Sequence, residues 1–336
     1  MSPTLDREIS EHCLSLLKSI DGVSDTQPIA MRPVEAGVWN NSIVEIRTQE
    51  KIYYFKAYRK FVAIPNYSPP DISATQRASV AQLAQSAAEE TFVRGYRLVP
   101  KILASDDTAF IMEAIPSTGH LLDYLREGHC PASVTEVLPF ALAKFHSDTR
   151  TKNYVTTPLG DVCFRDYKLD LQYYLPAQLI GGEQGRIIKS LADDYRKQRA
   201  CIVHGDLNTM NVLFTPEGNV QVIDFEQAHL GSPSYDLAFI LSELYIASMQ
   251  FSEHAEFRGV GKNFVTRYFE ALQGFDEDTI AKEATLHLAT QILYRFNGPS
   301  HKVWTSHVNE PTKRVALKHA AELLTDNPPH IIEIFS

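Results

Sequence analysis

The sequence predicts an α+β protein of two parts, an amino-terminal antiparallel sheet followed by a mostly helical part. Its 336 residues exceed what one hydrophobic core usually spans, so about two domains are expected. Strand-like segments are concentrated before residue 115, whereas helical periodicity dominates after Pro116. We therefore place the boundary between residues 1–115 and 116–336.

The first part should contain a leading helix, a meander of strands and one long helix. Apolar residues recur at helical spacing near the amino-terminus, and the next apolar segments are alternating or aromatic, which is typical of strands. A loop rich in Pro and Asn then precedes a segment rich in Ala, Gln and Glu. The predicted elements are a helix over 5–20, strands near 43–46 and 52–57, a helix over 73–94, and strands over 99–104 and 110–115.

The second part should be a helical bundle that contains a small insert of strands. Between residues 201 and 228, three short apolar runs bracket polar loops, which favours strands joined by loops. Elsewhere apolar residues form helical stripes. The predicted helices cover 134–146, 236–249, 261–273, 279–295 and 312–325.

Composition excludes several classes of protein. The 32 Lys and Arg residues against 41 Asp and Glu residues give a net charge of −9, which disfavours nucleic acid and anionic membranes as partners. The four cysteines form no C-x-x-C pair, so neither a zinc knuckle nor a disulfide framework is indicated. No signal-peptide pattern opens the sequence, and no apolar run approaches the ~20 residues of a membrane span. We expect a cytoplasmic protein.

The strand insert carries the most informative string, HGDLNTMN over residues 204–211. Asp224 follows Asn211 by thirteen residues, and this order and spacing match the kinase pattern H-R-D-L-x-x-x-N followed by a metal-holding Asp. Because Mg²⁺ prefers oxygen ligands, Asn211 and Asp224 are candidate metal ligands. Asp206 is the candidate catalytic base, which would orient the acceptor hydroxyl.

Each of these residues taken singly would be interpreted as part of an ordinary Asx turn. Their combination at this spacing, flanked by apolar strands, favours a site for metal and phosphate instead.

The sequence resembles the aminoglycoside phosphotransferase/choline kinase superfamily. In that family His-Gly-Asp replaces His-Arg-Asp, as at residues 204–206, and a second acidic motif leads into a stretch like GSPSYDLA at 231–238. The resemblance implies a protein-kinase-like fold of two lobes, and transfer of phosphate from ATP, with Mg²⁺, to a hydroxyl group of a small molecule. It also implies that Asp236 caps the helix that follows and anchors the catalytic loop.

The resemblance assigns the phosphate-binding lysine to Lys56, which lies in the aromatic strand. In kinases this lysine binds nucleotide phosphates and pairs with a glutamate of the next long helix. That glutamate is expected to be Glu89 or Glu90, and we assign Glu90 to the nucleotide site.

Two further segments are assigned to the nucleotide by their order along the chain. The turn from Gly37 to Ser42 precedes Lys56 and would lie over the phosphates, although it lacks the G-x-G-x-x-G pattern. The segment that includes Met112, Glu113 and Ile115 corresponds to the hinge, whose backbone would bind adenine.

Glu226 distinguishes this chain from protein kinases, because Asp224-Phe225-Glu226 replaces D-F-G. It resembles the Asp-x-Glu of choline, ethanolamine and methylthioribose kinases, which makes Glu226 a candidate third Mg²⁺ ligand. Without metal, three clustered carboxylates would repel one another and raise some of their pKa values. The sequence therefore predicts strict metal dependence.

The acceptor is predicted less sharply than the reaction. A long insertion after Lys56 and the position of Arg295 resemble the methylthioribose-kinase branch, in which an arginine pair near this position binds substrate. Tyr294 breaks that pair, and Asn211 departs from the branch's motif. A sugar-like acceptor is favoured, while choline, ethanolamine and aminoglycoside acceptors stay open.

The sequence disfavours two other functions. A nucleotide-binding pseudokinase that serves as a scaffold is opposed by the complete set of Lys56, Asp206, Asn211 and Asp224. A protein kinase is disfavoured because no A-P-E signature follows Asp224 and little room for an activation loop precedes Gly231.

Overall fold

The α+β architecture predicted from the sequence is confirmed by the computed structural model. The structure describes residues 6–21, 23, 28–34, 41–60, 71–93, 95–150, 154–299 and 301–335. Gly37, which was predicted to lie over the phosphates, falls outside these ranges.

The first part of the chain forms a five-stranded antiparallel sheet in the order β1-β2-β3-β7-β6. The long helix predicted to reach Arg94 ends earlier, because a short hairpin follows it. The elements are α1 (Arg7–Lys18), β1 (Ala30–Val34), β2 (Asn41–Arg47), β3 (Ile52–Tyr58), α2 (Ala74–Glu89), β4 (Phe92–Val93), β5 (Tyr96–Arg97), β6 (Ile102–Ser105) and β7 (Ala109–Glu113).

The two faces of this sheet pack against different helices. Because side chains alternate along a strand, Val44, Ile46 and Phe55 share one face and form a core with α1. On the other face, Tyr58 and Phe110 pack against Ala78 and Ala81 of α2. Lys56 lies in β3 two residues before Tyr58, so it faces the same side as Tyr58, toward α2.

The second part begins after β7 and is mainly helical. Among the described residues, none of the helices is both long and apolar enough to cross a membrane. The first elements are β8 (Gly119–His120), α3 (Leu121–Arg126), α4 (Ser133–Glu136), α5 (Leu138–Asp148), α6 (Cys163–Leu169), a π-helical turn (Asp170–Tyr174), α7 (Leu175–Ile180) and α8 (Gly182–Tyr195). The later ones are β9 (Cys201–Val203), β10 (Val212–Phe214), β11 (Val220–Val222), β12 (His229–Gly231), α9 (Pro233–Gln250), α10 (Val260–Ala271), α11 (Glu277–Asn297), α12 (His301–Thr305) and α13 (Glu310–Leu323).

The helix predicted over 134–146 is interrupted. Pro139 lies in the first turn of α5, where its missing N–H leaves no helical hydrogen bond unmade. A continuous helix would place this proline in its interior, so α4 ends at Glu136 and α5 starts at Leu138.

The strand insert brings the two predicted motifs together. The antiparallel hairpin of β10 and β11 separates residues 204–211 from Asp224. The backbone N–H of Ile223 donates to the carbonyl oxygen of Asn211 over 3.0 Å, which joins the ends of the two motif loops. The predicted boundary at residue 115 falls between β7 and β8, and β8 adds a third strand to this hairpin.

A cluster of aromatic and histidine side chains is buried beside this insert. The Tyr195 hydroxyl lies 2.8 Å from His229 Nε2, and the Tyr173 hydroxyl lies 2.6 Å from His287 Nδ1. Burial lowers the pKa of His229 to about 4 and that of His287 to about 3. Both imidazoles are therefore neutral in the folded protein near pH 7.

We predict that the protein loses stability as the pH falls from about 6.5 toward 4. In this range the unfolded chain protonates His229 and His287, whose ordinary pKa is about 6.5, whereas the folded chain does not. The free energy of unfolding should be measured with urea at pH 7 and pH 5 for wild type and His287→Asn. Between pH 7 and pH 5, the free energy of unfolding of the variant should fall by about 1–2 kcal/mol less than that of wild type. Equal losses would contradict the prediction.

Candidate active site

Lys56 and Asp224 form an ion pair between the sheet and the strand insert. Lys56 Nζ lies 2.6 Å from Asp224 Oδ1. Burial would lower the pKa of Lys56, but Asp224, Tyr58 and Glu226 raise it on balance, so the ammonium group stays protonated. Asp224 has a φ angle of 71° and is the sole non-glycine residue with positive φ in the described ranges. This uncommon conformation costs free energy and often marks functional sites.

The predicted pairing of Lys56 with a helix glutamate is corrected by the structure. Glu89 instead accepts a hydrogen bond from the first backbone N–H of β6 over 2.7 Å, and Glu90 is exposed at the end of α2. The second acidic neighbour of Lys56 is Glu226, whose Oε2 lies 3.6 Å from Lys56 Nζ. Helix α2 directs a cation toward this region, because Arg77 Nη2 lies 2.9 Å from Glu226 Oε1.

Both carboxylate oxygens of Glu226 are engaged by protein groups. Oε1 meets Arg77, while Oε2 accepts a hydrogen bond from Asn41 Nδ2 over 2.7 Å and lies near Lys56. Burial and the negative charge of Asp224 raise the pKa of Glu226, although Lys56 and Arg77 partly offset this rise. Burial would also raise the pKa of Asp224, but Lys56 lowers it on balance. Of these two carboxylates, only Glu226 thus has its pKa raised on balance, because the ion pair with Lys56 outweighs the opposing effects at Asp224.

Asn41, rather than the predicted Ser42, reaches this cluster of charges. The strand register pairs Ile43 with Lys56 and Ser42 with Ala57. Because neighbouring side chains alternate between faces, Ser42 lies on the opposite face from Lys56, and Asn41 lies on the same face. The side chain of Ser42 therefore lies away from Lys56, and contact between this residue and the nucleotide stays a prediction.

The catalytic-loop string brings Asp206 and Asn211 together. Asn211 Nδ2 donates to the backbone carbonyl of Asp206 over 2.9 Å. This hydrogen bond fixes the orientation of the Asn211 amide and leaves its Oδ1 as the atom that could bind a metal ion.

Lys168 is a site residue that sequence reasoning missed. It belongs to α6 and is 5% exposed, and its Nζ donates to Asp206 Oδ1 over 2.7 Å and to the Gly205 carbonyl over 2.6 Å. Burial lowers the pKa of Lys168, and the charge of Asp206 partly offsets that effect. No spacing rule links α6 to the catalytic loop, so nothing in the sequence marked this lysine.

Asp236 anchors the catalytic loop as predicted. It is fully buried, and its carboxylate accepts the backbone N–H groups of His204 over 2.6 Å and of Gly205 over 3.0 Å. Burial would raise the pKa of Asp236, but its hydrogen bond and electrostatic interaction with His146 and its contacts with His204 lower it on balance. The predicted capping role is wrong, because the cap of α9 is the side chain of Ser232.

The predicted hinge residues lie at and just beyond the end of β7. Met112 packs beside α2, where its sulfur lies 3.9 Å from the side-chain nitrogen of Gln85. The N–H of Glu113 donates to the carbonyl oxygen of Lys101 over 2.9 Å, so the sheet already uses that group. Adenine binding by the backbone of this segment, including Ile115, stays a prediction.

Arg295, the predicted substrate residue, is buried in an ion pair. It is 2% exposed, with Nη2 at 2.5 Å from Glu243 Oε1 and Nε donating to Ser242 Oγ over 2.9 Å. The other oxygen of Glu243 accepts the backbone N–H of Thr209 over 3.1 Å. Arg295 is thus tied to the catalytic loop through Glu243, and its contact with an acceptor stays a prediction.

The donor atoms fit a magnesium ion that arrives with a nucleotide. In the described part of the chain, no group of three or more His, Cys, Asp or Glu side chains is arranged to hold a metal ion. Mg²⁺ is commonly bound by one or two protein oxygens together with substrate phosphates. The Asp224 carboxylate and the Asn211 amide oxygen match that requirement.

Comparison with known proteins supports the interpretation of the two motifs. Residues 142–280 match the model of the phosphotransferase enzyme family. This range contains the catalytic-loop string, Asp224 and Asp236. The match confirms the predicted family resemblance and the enzyme class that it implies, a phosphotransferase. No curated protein matches the chain.

Solved structures of distant sequences share the fold. A choline kinase from Cryptosporidium parvum is 13% identical, with a TM-score of 0.55 over 93% of this chain and 94% of that one. An ethanolamine kinase from Plasmodium vivax is 10% identical, with a TM-score of 0.51 over 95% and 90% of the two chains. A streptomycin–ATP–APH(2″)-IIa ternary complex is 14% identical, with a TM-score of 0.51 over 99% of each chain. These similarities confirm the protein-kinase-like fold.

We predict that Asp236→Asn lowers the free energy of unfolding by about 2–3 kcal/mol at pH 7, because two amides lose a charged acceptor. The pKa of Asp236 is lowered by folding, so its contribution is present above about pH 4 and is lost as the pH falls through the folded value. Urea unfolding of both proteins at pH 7 and near pH 3 measures this. A difference that did not shrink at low pH would contradict the prediction.

Proposed function

We propose that this protein transfers the γ-phosphate of Mg·ATP to a hydroxyl group of a small molecule. The observation that carries the proposal is a continuous series of contacts between its four predicted functional residues. Lys56 meets Asp224, the residue before Asp224 is hydrogen-bonded to Asn211, and Asn211 holds the backbone of Asp206. This arrangement supports a phosphate-binding cation, two metal-binding oxygens and a base within one site.

Each residue has a distinct task in this proposal. Lys56 binds the phosphates, and the Asp224 carboxylate and Asn211 Oδ1 hold Mg²⁺. The bound ion supplies neutralisation of the charge on the phosphate oxygens. Asp206 accepts a hydrogen bond from the acceptor hydroxyl, orients its oxygen toward the phosphorus and takes up its proton.

Lys168 positions the base in this proposal. Its ammonium group holds one carboxylate oxygen of Asp206 and the carbonyl of Gly205 in the same turn. The other carboxylate oxygen lies 3.4 Å from the Gln227 side-chain nitrogen. That second oxygen is the atom we assign to the acceptor hydroxyl.

The proposal also includes a chemical class for the molecule that accepts the phosphate. We favour a sugar-like alcohol, on the sequence features that resemble methylthioribose kinases. A screen with Mg·ATP, monitored by ADP release, should include methylthioribose, choline, ethanolamine, homoserine and aminoglycosides. Saturable binding of Mg·ATP without turnover on any acceptor would favour the scaffold alternative.

We predict that Asp206→Asn keeps nucleotide binding and loses turnover. The substitution leaves Lys56, Asn211 and Asp224 unchanged, so the dissociation constant of Mg·ATP should change less than about threefold, while kcat falls by about 10²–10⁴. Calorimetry and an ADP-release assay with the acceptor found in the screen measure the two quantities. Turnover of this variant at the wild-type rate would show that Asp206 is not the catalytic base.

We predict that Lys168→Met lowers kcat by about tenfold or more and changes the KM for ATP by less than about threefold, since the lysine contacts the base. Lys168→Arg keeps a cation and should recover part of kcat. Steady-state kinetics of both variants, after their thermal stability has been checked, measures this. A rise in KM at unchanged kcat would assign Lys168 to nucleotide binding instead.

A further inference from the structure

We propose that Glu226, fixed by Arg77 of α2, positions Lys56 at the nucleotide phosphates, in place of the helix glutamate of protein kinases. In those enzymes the ion pair between the strand lysine and a glutamate of the following helix must form for activity. This inference rests on the proposed function and assigns positioning roles to two residues of the same site.

Arg77 is the residue of α2 that contacts the carboxylate beside Lys56. It is fully buried, and its Nη1 donates to the carbonyl of Arg59 over 2.7 Å while its Nη2 meets Glu226 at 2.9 Å. The Lys56 ammonium and the Arg77 guanidinium lie 5.1 Å and 5.4 Å from the ring centre of Tyr58. Glu226 bridges these two cations, with Oε1 2.9 Å from Arg77 Nη2 and Oε2 3.6 Å from Lys56 Nζ.

The contacts of Glu226 oppose a role as a metal ligand. A metal-binding carboxylate must turn an oxygen toward the ion at about 2.0–2.1 Å. Turning an oxygen of Glu226 toward an ion would weaken its contact with Arg77 or with Asn41, and separating the buried ion pair of Arg77 and Glu226 is destabilising. Asp224 is less constrained, because its side chain is 33% exposed and its hydrogen-bonded partner within the described residues is Lys56. Asp224 can therefore turn to the metal while Glu226 stays with Arg77.

The arrangement reverses the charges seen in protein kinases. There the helix supplies the carboxylate; here the helix supplies a cation, and the loop after Asp224 supplies the carboxylate. Lys56, Arg77, Asp224 and Glu226 together balance two positive and two negative charges. Arg77 also links α2 directly to the metal-binding loop.

The test is calorimetric titration of the full chain with Mg·ATP over a range of free Mg²⁺ concentrations. Glu226→Gln should weaken Mg·ATP binding by about tenfold, the loss expected for one charge-assisted contact. The free Mg²⁺ needed for half-maximal binding should change by less than about twofold, whereas Asp224→Asn should raise it by about tenfold or more. Glu89→Gln and Glu90→Gln are matched controls that should bind like wild type.

Several results would overturn the proposal. If Glu226→Gln raises the Mg²⁺ requirement as Asp224→Asn does, Glu226 is a metal ligand. If either control weakens binding as much as Glu226→Gln does, a helix glutamate pairs with Lys56 when nucleotide is bound. If wild type binds Mg·ATP and Glu226→Gln binds it equally well, the role of Glu226 is wrong and the proposed function is unaffected. Absence of binding by wild type would overturn both the inference and the proposed function.

Two further measurements do not depend on the folding of the Glu226→Gln variant. Arg77→Glu combined with Glu226→Ala moves the carboxylate onto the helix, and it should bind Mg·ATP more tightly than either single variant. A double variant that binds Mg·ATP no more tightly than the better of the two single variants would contradict the charge reversal. A crystal structure of wild type with Mg²⁺ and a non-hydrolysable ATP analogue should keep Glu226 on Arg77. A Glu226–metal distance of about 2.1 Å would overturn the proposal.

Discussion

The ion pair of Lys56 and Asp224 is the contact on which the rest of the site depends. It joins a strand of the sheet to the loop after β11, two segments separated by 168 residues. Glu226 of the second pair, with Arg77, also lies 3.6 Å from Lys56, so removing one partner of that pair changes the charges around Lys56 as well. These four charged side chains therefore connect the sheet, α2 and the strand insert.

The same principle organises the catalytic loop from its other side. Asp236 holds the turn at His204 and Gly205 through two backbone amides, and Lys168 holds the Gly205 carbonyl. The Asp236 carboxylate thus accepts the N–H groups of this turn, and the Lys168 ammonium group donates to a carbonyl oxygen of the same turn. Both residues come from helices of the second part, so the helical core orients Asp206 together with the contacts that it makes within the loop, such as the one with Asn211.

The sequence allowed prediction of what depends on local spacing and composition. The kinase-like spacing of Asp206, Asn211 and Asp224 and the order of sheet and helices were predictable, because a motif or a periodicity carries each. The partner of Lys56 was not, since the assumption of a helix glutamate ignored the possible exchange of charges between Arg77 and Glu226. Asn41 and Lys168 were missed because no spacing rule connects a strand end or a distant helix to the loop that it contacts. The break before α5 did follow from a rule, the placement of Pro139 in a first turn.

The pairing of β8 with β10 connects the chain that follows β7 to the hairpin of β10 and β11. The two motif loops lie at the ends of this hairpin. Its bonds belong to the backbone, as when Thr118 N–H donates to the Phe214 carbonyl over 2.8 Å. The backbone bonds do not depend on side-chain identity, but two positions of this segment are constrained further: Gly119 has a φ angle of 150°, and His120 Nδ1 lies 2.5 Å from the carbonyl oxygen of Met210. The segment predicted to bind adenine is therefore tied, through β8 and His120, to the same hairpin that joins Asn211 to Asp224.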